Sequence, residues 1–495
     1  MTLAELVWEN PLLIKHVRSR LRPQQLYPMM IVVAVLCGLV MWGAYSSSDV
    51  SETGAAFSML LLIQGGLLLL VGTSEIANAV AGARASGMLD FHRISPQSPV
   101  ATAAGFILGA PIREWVLTAV TIPFSIGACC TAKPGPLGGL VVFVVLIASA
   151  LLFHTIALLV GTTTPTSRST GGPVALLVFI LHSTGATLPV ALFTVVPTAM
   201  AVMGVERPGL IRDTFYMVKL PVPLLSLLHI LPMLALVFIA GVRRMRSERV
   251  PIYSKLQAVA FQAAMAFLVL GDVLGLAPVE GQPSFGSLIA IYLLSISGAL
   301  LALACTPGAG EYAKGIWRAR KQGQAHPGAW EDRAANWQPV AALVGIMMVA
   351  GLLASAPEVM ANGLEKAGAV LASLVVAAAA VVTVASGRQA FGLRYRKAGA
   401  GYLGLFFFVV WVLPIIVGAL LEASKGGLLN SSSEAMKYAW ALSPLTGIGI
   451  AGNGEAGMVL AMLASVIPAA VMMYLSREAE QQARKEAQEG RKLAA

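Results

Sequence analysis

Charged side chains are scarce in this chain, and their scarcity argues against a soluble domain of any size. Only 12% of the 495 residues are Asp, Glu, Lys or Arg, whereas soluble globular domains carry about 25%. The longest predicted inside loop between apolar runs is only 306–338. The sequence therefore predicts a protein built almost entirely from membrane-spanning segments.

Cysteine and histidine are also few, with four and six residues respectively. The cysteines (Cys37, Cys129, Cys130 and Cys305) show no disulfide or metal-binding spacing, so we interpret them as small packing residues. The motif GxxxxGK[ST], whose backbone cradles the phosphates of ATP, does not occur. We therefore expect neither a cofactor nor an enzymatic activity in the chain itself.

About a dozen long apolar stretches fill most of the sequence. Each approaches or exceeds the roughly 20 residues that a helix needs to cross a bilayer. The predicted spans are 28–45, 55–76, 100–130, 137–161, 171–203, 224–242, 256–275, 285–305, 339–356, 366–386, 401–421 and 456–475. The predicted fold class is an all-α integral membrane protein with about twelve transmembrane helices.

Lys and Arg residues collect in alternate connections between these spans. One set of connections holds 27 of the 34 Lys and Arg residues, and the other set holds 7. Because cytoplasmic loops carry the excess of these residues, we expect a multi-pass protein of the inner (plasma) membrane with both termini cytoplasmic. The net charge of +10 is spread over seven inside segments, which favours contact with membrane lipids and not with nucleic acid.

The two ends of the chain have distinct patterns. In 10–22, Leu12, Leu13, His16, Val17 and Leu21 share one helical face, which predicts an interfacial amphipathic helix or an ordinary basic flank. The tail after residue 476 predicts a solvated helix with a Glu480–Arg484 pair.

A charged linker near residue 250 divides the predicted spans into two groups of six. The expected domains are 1–250 and 251–495, the second with a short charged cytoplasmic tail. Each half has a basic inside loop after its second span, 77–99 and 306–338, and each loop contains a Pro after Ser or Thr. This similarity weakly indicates a repeat of two parallel halves.

Few polar side chains interrupt the predicted spans. His154, His182 and His229 fall in three different spans, and Glu75 lies near the inner end of the second. Polar groups within a membrane are costly and often functional. A structural hydrogen bond and a contact with substrate both remain open for each histidine, and the role of Glu75 is equally open.

The most specific motif follows the second span, at 83–96. Its sequence, ARASGMLDFHRISP, predicts a short amphipathic inside helix over 84–94 that ends before Pro96. The motif resembles the permeases of type-2 ATP-binding-cassette exporters, which have a basic-x-x-Gly-x-hydrophobic-acidic helix at this place. Arg84, Gly87, Leu89, Asp90, Ser95 and Pro96 match in order. Ala83 stands where that family usually has Glu.

The resemblance implies a permease subunit that moves an unidentified substrate with a separate cytoplasmic ATPase as partner. The implied ATPase-coupling helix contains Arg84, Gly87, Leu89, Asp90, Phe91, Arg93 and Pro96. A second coupling loop would contain Glu311, Tyr312, Lys314 and Arg318. If the halves are not equivalent, a second permease copy is a further expected partner. The alternatives are a twelve-span ion-coupled secondary transporter and a membrane-embedded enzyme.

Overall fold

Helices dominate the described part of the chain in the computed structural model. The structure describes residues 9–46, 54–131, 133–163, 170–183, 193–204, 214–274, 285–395, 398–424, 434–452 and 457–488. Within these residues, eleven helices are long and apolar enough to cross a membrane. The chain is therefore an all-α multi-pass membrane protein, as predicted, whereas the number twelve remains a prediction.

Two compact units make up the structure. The first comprises Met1–Asp213 with Lys219–Glu248, and the second comprises Thr214–Val218 with Arg249–Ala495. The joining segment contains the short strands β1 (Thr214–Phe215) and β2 (Val218–Lys219), which pair with each other. Whether the units act as two transporting halves remains a prediction.

The first unit contains ten helices in its described residues. They are α1 (Pro11–Arg20), α2 (Pro23–Ser46), α3 (Ala55–Ala85), α4 (Met88–Ile94), α5 (Pro99–Gly109), α6 (Ile112–Thr131), α7 (Gly135–Thr163), α8 (Gly171–Ser183), α9 (Val196–Val202) and α10 (Val222–Arg246). Helix α3 includes a π-helical segment, Gly66–Gly72.

The N-terminal helix forms where the sequence predicts it, but it also packs against protein. Asn10 caps α1 by accepting hydrogen bonds from the backbone N–H groups of Leu12 and Leu13. Leu12 is buried. A Cβ added at Gly105 of α5 would lie 2.9 Å from Leu12 Cβ. The absence of a side chain at position 105 therefore lets α1 pack closely against α5.

The third predicted span is interrupted at Pro111, and the fifth is described only in part. The stretch 100–130 forms two helices, α5 and α6, because Pro111 lies between them and has no N–H to continue the first. The stretch 171–203 contains α8 and α9, and 184–192 lies outside the described residues. The fifth span therefore remains undecided.

The second unit contains nine helices in its described residues. They are α11 (Lys255–Leu274), α12 (Phe285–Cys305), α13 (Ala309–Lys321), α14 (Trp337–Gly363), α15 (Lys366–Tyr395), α16 (Gly399–Phe407, continued by Phe408–Val412 and Leu413–Ser424), α17 (Glu434–Ala441), α18 (Pro444–Gly452) and α19 (Met458–Gln488). Gly363, with a φ of 76°, separates α14 from α15.

The tail corrects the prediction of a solvated helix. Helix α19 continues from the last span through Gln488 without a break. Ala479, Glu480 and Ala483 are buried. Together with Tyr312 and Leu393, the two alanines form a small apolar cluster within the second unit. The tail therefore packs along one face and is solvated only on the other.

Candidate functional site

The motif at 83–96 does not form the single helix predicted over 84–94, because a turn divides it. Helix α3 ends at Ala85, the chain turns at Ser86 and Gly87, and α4 begins at Met88. Gly87 has a φ of 74°, a backbone conformation that disfavours side chains. A Cβ at this position would meet no atom within 4 Å. The glycine therefore serves the turn, and the space beside it is open.

Helix α4 has one buried face and one exposed apolar face. Leu89 is buried in the core of the first unit. Met88, Phe91 and Ile94 are 39%, 64% and 83% exposed and follow one another at three-residue spacing. Residues three apart lie on the same side of a helix, so these side chains form one stripe, which we call the apolar row.

Two arginines of the motif are held by one carboxylate of the same unit. Glu248, after the end of α10, forms ion pairs with Arg84 and with Arg93. Arg93 also donates to the backbone carbonyls of Arg244 and Met245, at 3.2 and 3.3 Å. These contacts fasten α4 to the ends of α3 and α10.

The buried Arg244 extends these contacts from α10 to α7. Arg244 donates from Nη2 to the carbonyl oxygen of Thr162 at 3.1 Å, and from Nη1 to the carbonyl oxygen of Glu248. Helices α7 and α10 are thereby joined at the base of α4. A displacement of α4 would therefore act on three membrane helices.

The remaining motif residues have simpler environments. Asp90 pairs with Arg93 at 2.5 Å, but its side chain is 75% exposed. Pro96 is exposed, and Ala83 is buried among apolar side chains. Position 83 thus supplies no charge, and the negative charge beside Arg84 comes from Glu248.

The second predicted loop forms α13 and a following segment that folds back on it. Glu311 forms ion pairs with Lys314 at 2.9 Å and with Arg333 at 2.8 Å. Burial would raise the pKa of Glu311, but the hydrogen bonds and charges of these two partners lower it below its usual range. A Cβ at Gly315 would meet the backbone of Arg333, so the segment after α13 lies directly on the helix.

The four residues predicted for this loop divide into two environments. Glu311 and Tyr312 are buried, whereas Lys314 and Arg318 are exposed. Burial also raises the pKa of the Tyr312 hydroxyl, and that hydroxyl accepts a hydrogen bond from Arg484. Glu311 and Tyr312 therefore hold the loop in place, and only the exposed pair is open to a partner.

Glu480 forms the predicted pair with Arg484 at 3.5 Å, but the sequence did not predict its burial or its other partners. Trp337 Nε1 donates to Glu480 Oε1 at 2.7 Å, and the side-chain amide of Gln389 donates to the same oxygen. Asn336 donates to Thr306 Oγ1 at 2.7 Å and from its backbone to Gln389 Oε1. The loop before α14 is thus connected to α15 and α19.

Three of the four polar side chains singled out in the predicted spans have protein partners. His154 Nε2 lies 2.9 Å from the carbonyl oxygen of Leu68, within the π-helical segment of α3. His229 Nδ1 lies 2.8 Å from the carbonyl oxygen of Leu225. The side chain of His182 lies outside the described residues. Glu75 pairs with Arg20 at 2.7 Å and with Arg113 at 3.5 Å.

Comparison with known proteins finds no family model, no curated protein and no solved structure that matches the chain.

Proposed function

We propose that this chain is the membrane-spanning permease subunit of an ATP-driven exporter of the ATP-binding-cassette class. The ATPase would be a separate cytoplasmic subunit, and ATP would bind there. The observation that carries the proposal is the apolar row, which is exposed on a short helix whose other side is fixed to three spans. An exposed apolar stripe on an anchored helix suits contact with a protein partner.

The proposed mechanism depends on this anchoring. Closure of two ATPase copies around ATP would push on α4, and Glu248 and Arg244 would transmit the displacement to α3, α7 and α10. Helix α13, held by Glu311 and Tyr312, would serve the same purpose in the second unit. Lys314 and Arg318 would there face the partner together with Trp317, which is 58% exposed.

The arginines have a different proposed role from the apolar row. Because Arg84 and Arg93 are paired with Glu248, we assign them to holding α4 in place. Phe91, Met88 and Ile94 would supply most of the contact area. Large, fully desolvated side chains at the centre of an interface are often worth about 2 kcal/mol or more each.

Co-purification of an ATPase with Phe91→Asp tests this proposal. The native membrane is solubilised, the tagged full-length chain is captured, and bound ATPase is quantified. We expect about a tenfold or greater loss of ATPase, corresponding to about 1.4 kcal/mol or more. The matched control is Met360→Asp, which charges an exposed apolar residue of α14, at its predicted outer end.

Two results would contradict the proposal. One is equal recovery of the ATPase with wild-type chain and Phe91→Asp. The other is ATP hydrolysis by the purified chain alone, because the proposal places the nucleotide in the partner.

An ion-coupled secondary transporter is the second candidate, and buried carboxylates favour it. Glu114 is 1% exposed and pairs with Arg113 at 2.7 Å. Glu358 is buried, pairs with Lys366 at 2.8 Å and accepts a hydrogen bond from Ser287. Both carboxylates lie within two turns of a helix end, where an ion pair stabilises packing without carrying ions. Transport driven by a proton gradient in ATP-free vesicles, and abolished by Glu114→Gln, would favour this candidate.

A further inference from the structure

A basic cavity lies between α1, α3, α4 and α5, all within the first unit. Its volume is about 350 Å³, and a cavity measured in this way needs about 10–15 Å³ to hold one water molecule. The cavity therefore has room for a small polar group such as a phosphate ester.

The positive charge of the cavity comes from α1. Lys15, His16, Ser19 and Arg20 of α1 line it. The Lys15 ammonium lies 3.1 Å from the Met88 sulfur, a weak acceptor, and an ammonium has three donors to satisfy. Arg20 shares its guanidinium with Glu75, and that planar group has five donors.

His16 lines the cavity, and its environment indicates the same positive potential. His16 and His92 both contact the ring of Phe106, with centroid distances of 5.9 and 6.5 Å. The Nε2 atoms of both are buried without a hydrogen-bond partner. Burial, with the charges of Arg20 and Lys15, lowers the pKa of His16 to about 4. An anion in the cavity would relieve this excess of positive charge.

The cavity also has apolar lining residues, which suit an amphiphile. Leu12, Ala79, Ala83 and Phe106 line it. Helix α1 has basic and apolar faces, as do helices that lie at the surface of a bilayer. A soluble phosphate would contact only the basic residues, whereas a lipid would also contact the apolar ones.

We infer that this cavity binds the phosphate headgroup of an anionic membrane lipid, with Lys15 as its principal contact. The lipid would bridge α1 to the start of α4, because Lys15 already reaches Met88 across the cavity. This inference does not require the proposed ATPase partner, although Met88 both lines the cavity and belongs to the apolar row.

Native mass spectrometry of the full-length protein tests the inference. The detergent-solubilised chain is titrated with phosphatidylglycerol, and the dissociation constant of the first adduct is measured for each variant. We expect Lys15→Gln to weaken this adduct by about tenfold, as the loss of one hydrogen bond between charged groups implies. Lys15→Arg should retain most of the affinity because it keeps the charge.

Arg18→Gln is the matched control. Arg18 lies on the same helix, carries the same charge and is exposed, as Lys15 is, but it does not line the cavity. We expect its substitution to weaken the adduct less than about twofold, because a headgroup in the cavity would form no hydrogen bond with Arg18. Equal weakening by Lys15→Gln and Arg18→Gln would overturn the inference in favour of a general surface attraction.

Two further arms separate the sources of phosphate chemistry. Phosphatidylcholine carries the same anionic phosphate, but its cationic choline makes the whole headgroup neutral. Equal binding of this lipid would overturn the inference. In the second arm, inorganic phosphate is added to the protein with bound phosphatidylglycerol, and we expect the lipid to stay bound. Displacement at a concentration matching that of the lipid would overturn the assignment to a lipid.

Discussion

At the scale of a single residue, Gly87 sets the position at which α4 begins. Its positive φ makes a side chain unfavourable, although the surrounding space is open. We expect Gly87→Ala to destabilise the turn by about 1–2 kcal/mol. Faster amide hydrogen exchange over 88–94 would show this effect. Gly82→Ala is the control, because Gly82 is helical and its Cβ would also meet open space; there alanine should be neutral or stabilising. Equal exchange in both variants would contradict this role of Gly87.

His16 makes the folded chain less stable as the pH falls. Its pKa of about 4 in the folded chain lies below the ordinary 6.5, chiefly because of burial. The unfolded chain therefore binds the proton more readily, and stability is retained above pH 6.5 and lost as the pH falls toward 4. We expect His16→Gln to reduce the fall in unfolding temperature between pH 6.5 and pH 4, measured in detergent. Some of the fall should persist, because burial also lowers the pKa of His92. His326→Gln, at an exposed position, should leave the dependence unchanged. A wild-type protein that is equally stable at both pH values would contradict the assignment.

At the scale of elements, Glu248 is the residue that fastens α4 to the spans. Replacing it with glutamine leaves Arg84 and Arg93 without their shared charge. We expect this to weaken the anchoring by about 1–3 kcal/mol and to increase hydrogen exchange in α4. Asp90→Asn removes the other acidic partner of Arg93, and its exposure limits the effect to about 1 kcal/mol or less. If Asp90→Asn loosened α4 as much as Glu248→Gln, the anchoring would be misassigned.

The tail helix makes an equally specific prediction in the second unit. Glu480→Ala would leave the buried amide of Gln389 and the half-buried indole N–H of Trp337 without an acceptor. The buried amide alone should cost about 1–3 kcal/mol. We expect a lower unfolding temperature and faster proteolysis of the loop at 322–336. Glu478→Ala, two residues earlier and exposed, should change neither. A stable Glu480→Ala variant would restore the prediction of a solvated tail.

Sequence patterns located the helices better than they located the contacts between them. Hydropathy placed α2, α7 and α10 because each is a continuous apolar run. It could not place Glu248 beside Arg84, which lies 164 residues away, because pairing across a fold leaves no local signal. Pro111 was the local clue to the division between α5 and α6. The helical spacing of Ala479 and Ala483 was the only signal that one face of the tail is buried.

For the whole molecule, orientation in the membrane is the prediction with the widest consequences. We expect both termini to be cytoplasmic, because 27 of the 34 Lys and Arg residues fall in alternate connections. A single cysteine at Gln324, in a chain whose four native cysteines are replaced, should react with a membrane-impermeant maleimide only from the cytoplasmic side. Cysteine at Lys133 should react only from outside. Reaction of the first from outside the intact cell would reverse the topology.

The π-helical segment of α3 has a consequence for tolerance of length changes. Before it, Gln64 donates to Thr121 and Ser125 of α6; after it, Ala77 and Val80 adjoin Gly161 of α7. A π-helical turn closes with i→i+5 hydrogen bonds and so holds about one residue more than an α-helical turn. The segment therefore accommodates one extra residue while the turns on either side keep their facing. Deleting one residue between Gly66 and Gly72 would return this stretch to a regular α-helix and leave Gln64 facing α6 and Ala77 and Val80 facing α7. Aligned sequences that differ by one residue here would therefore keep the same helix phase on both sides.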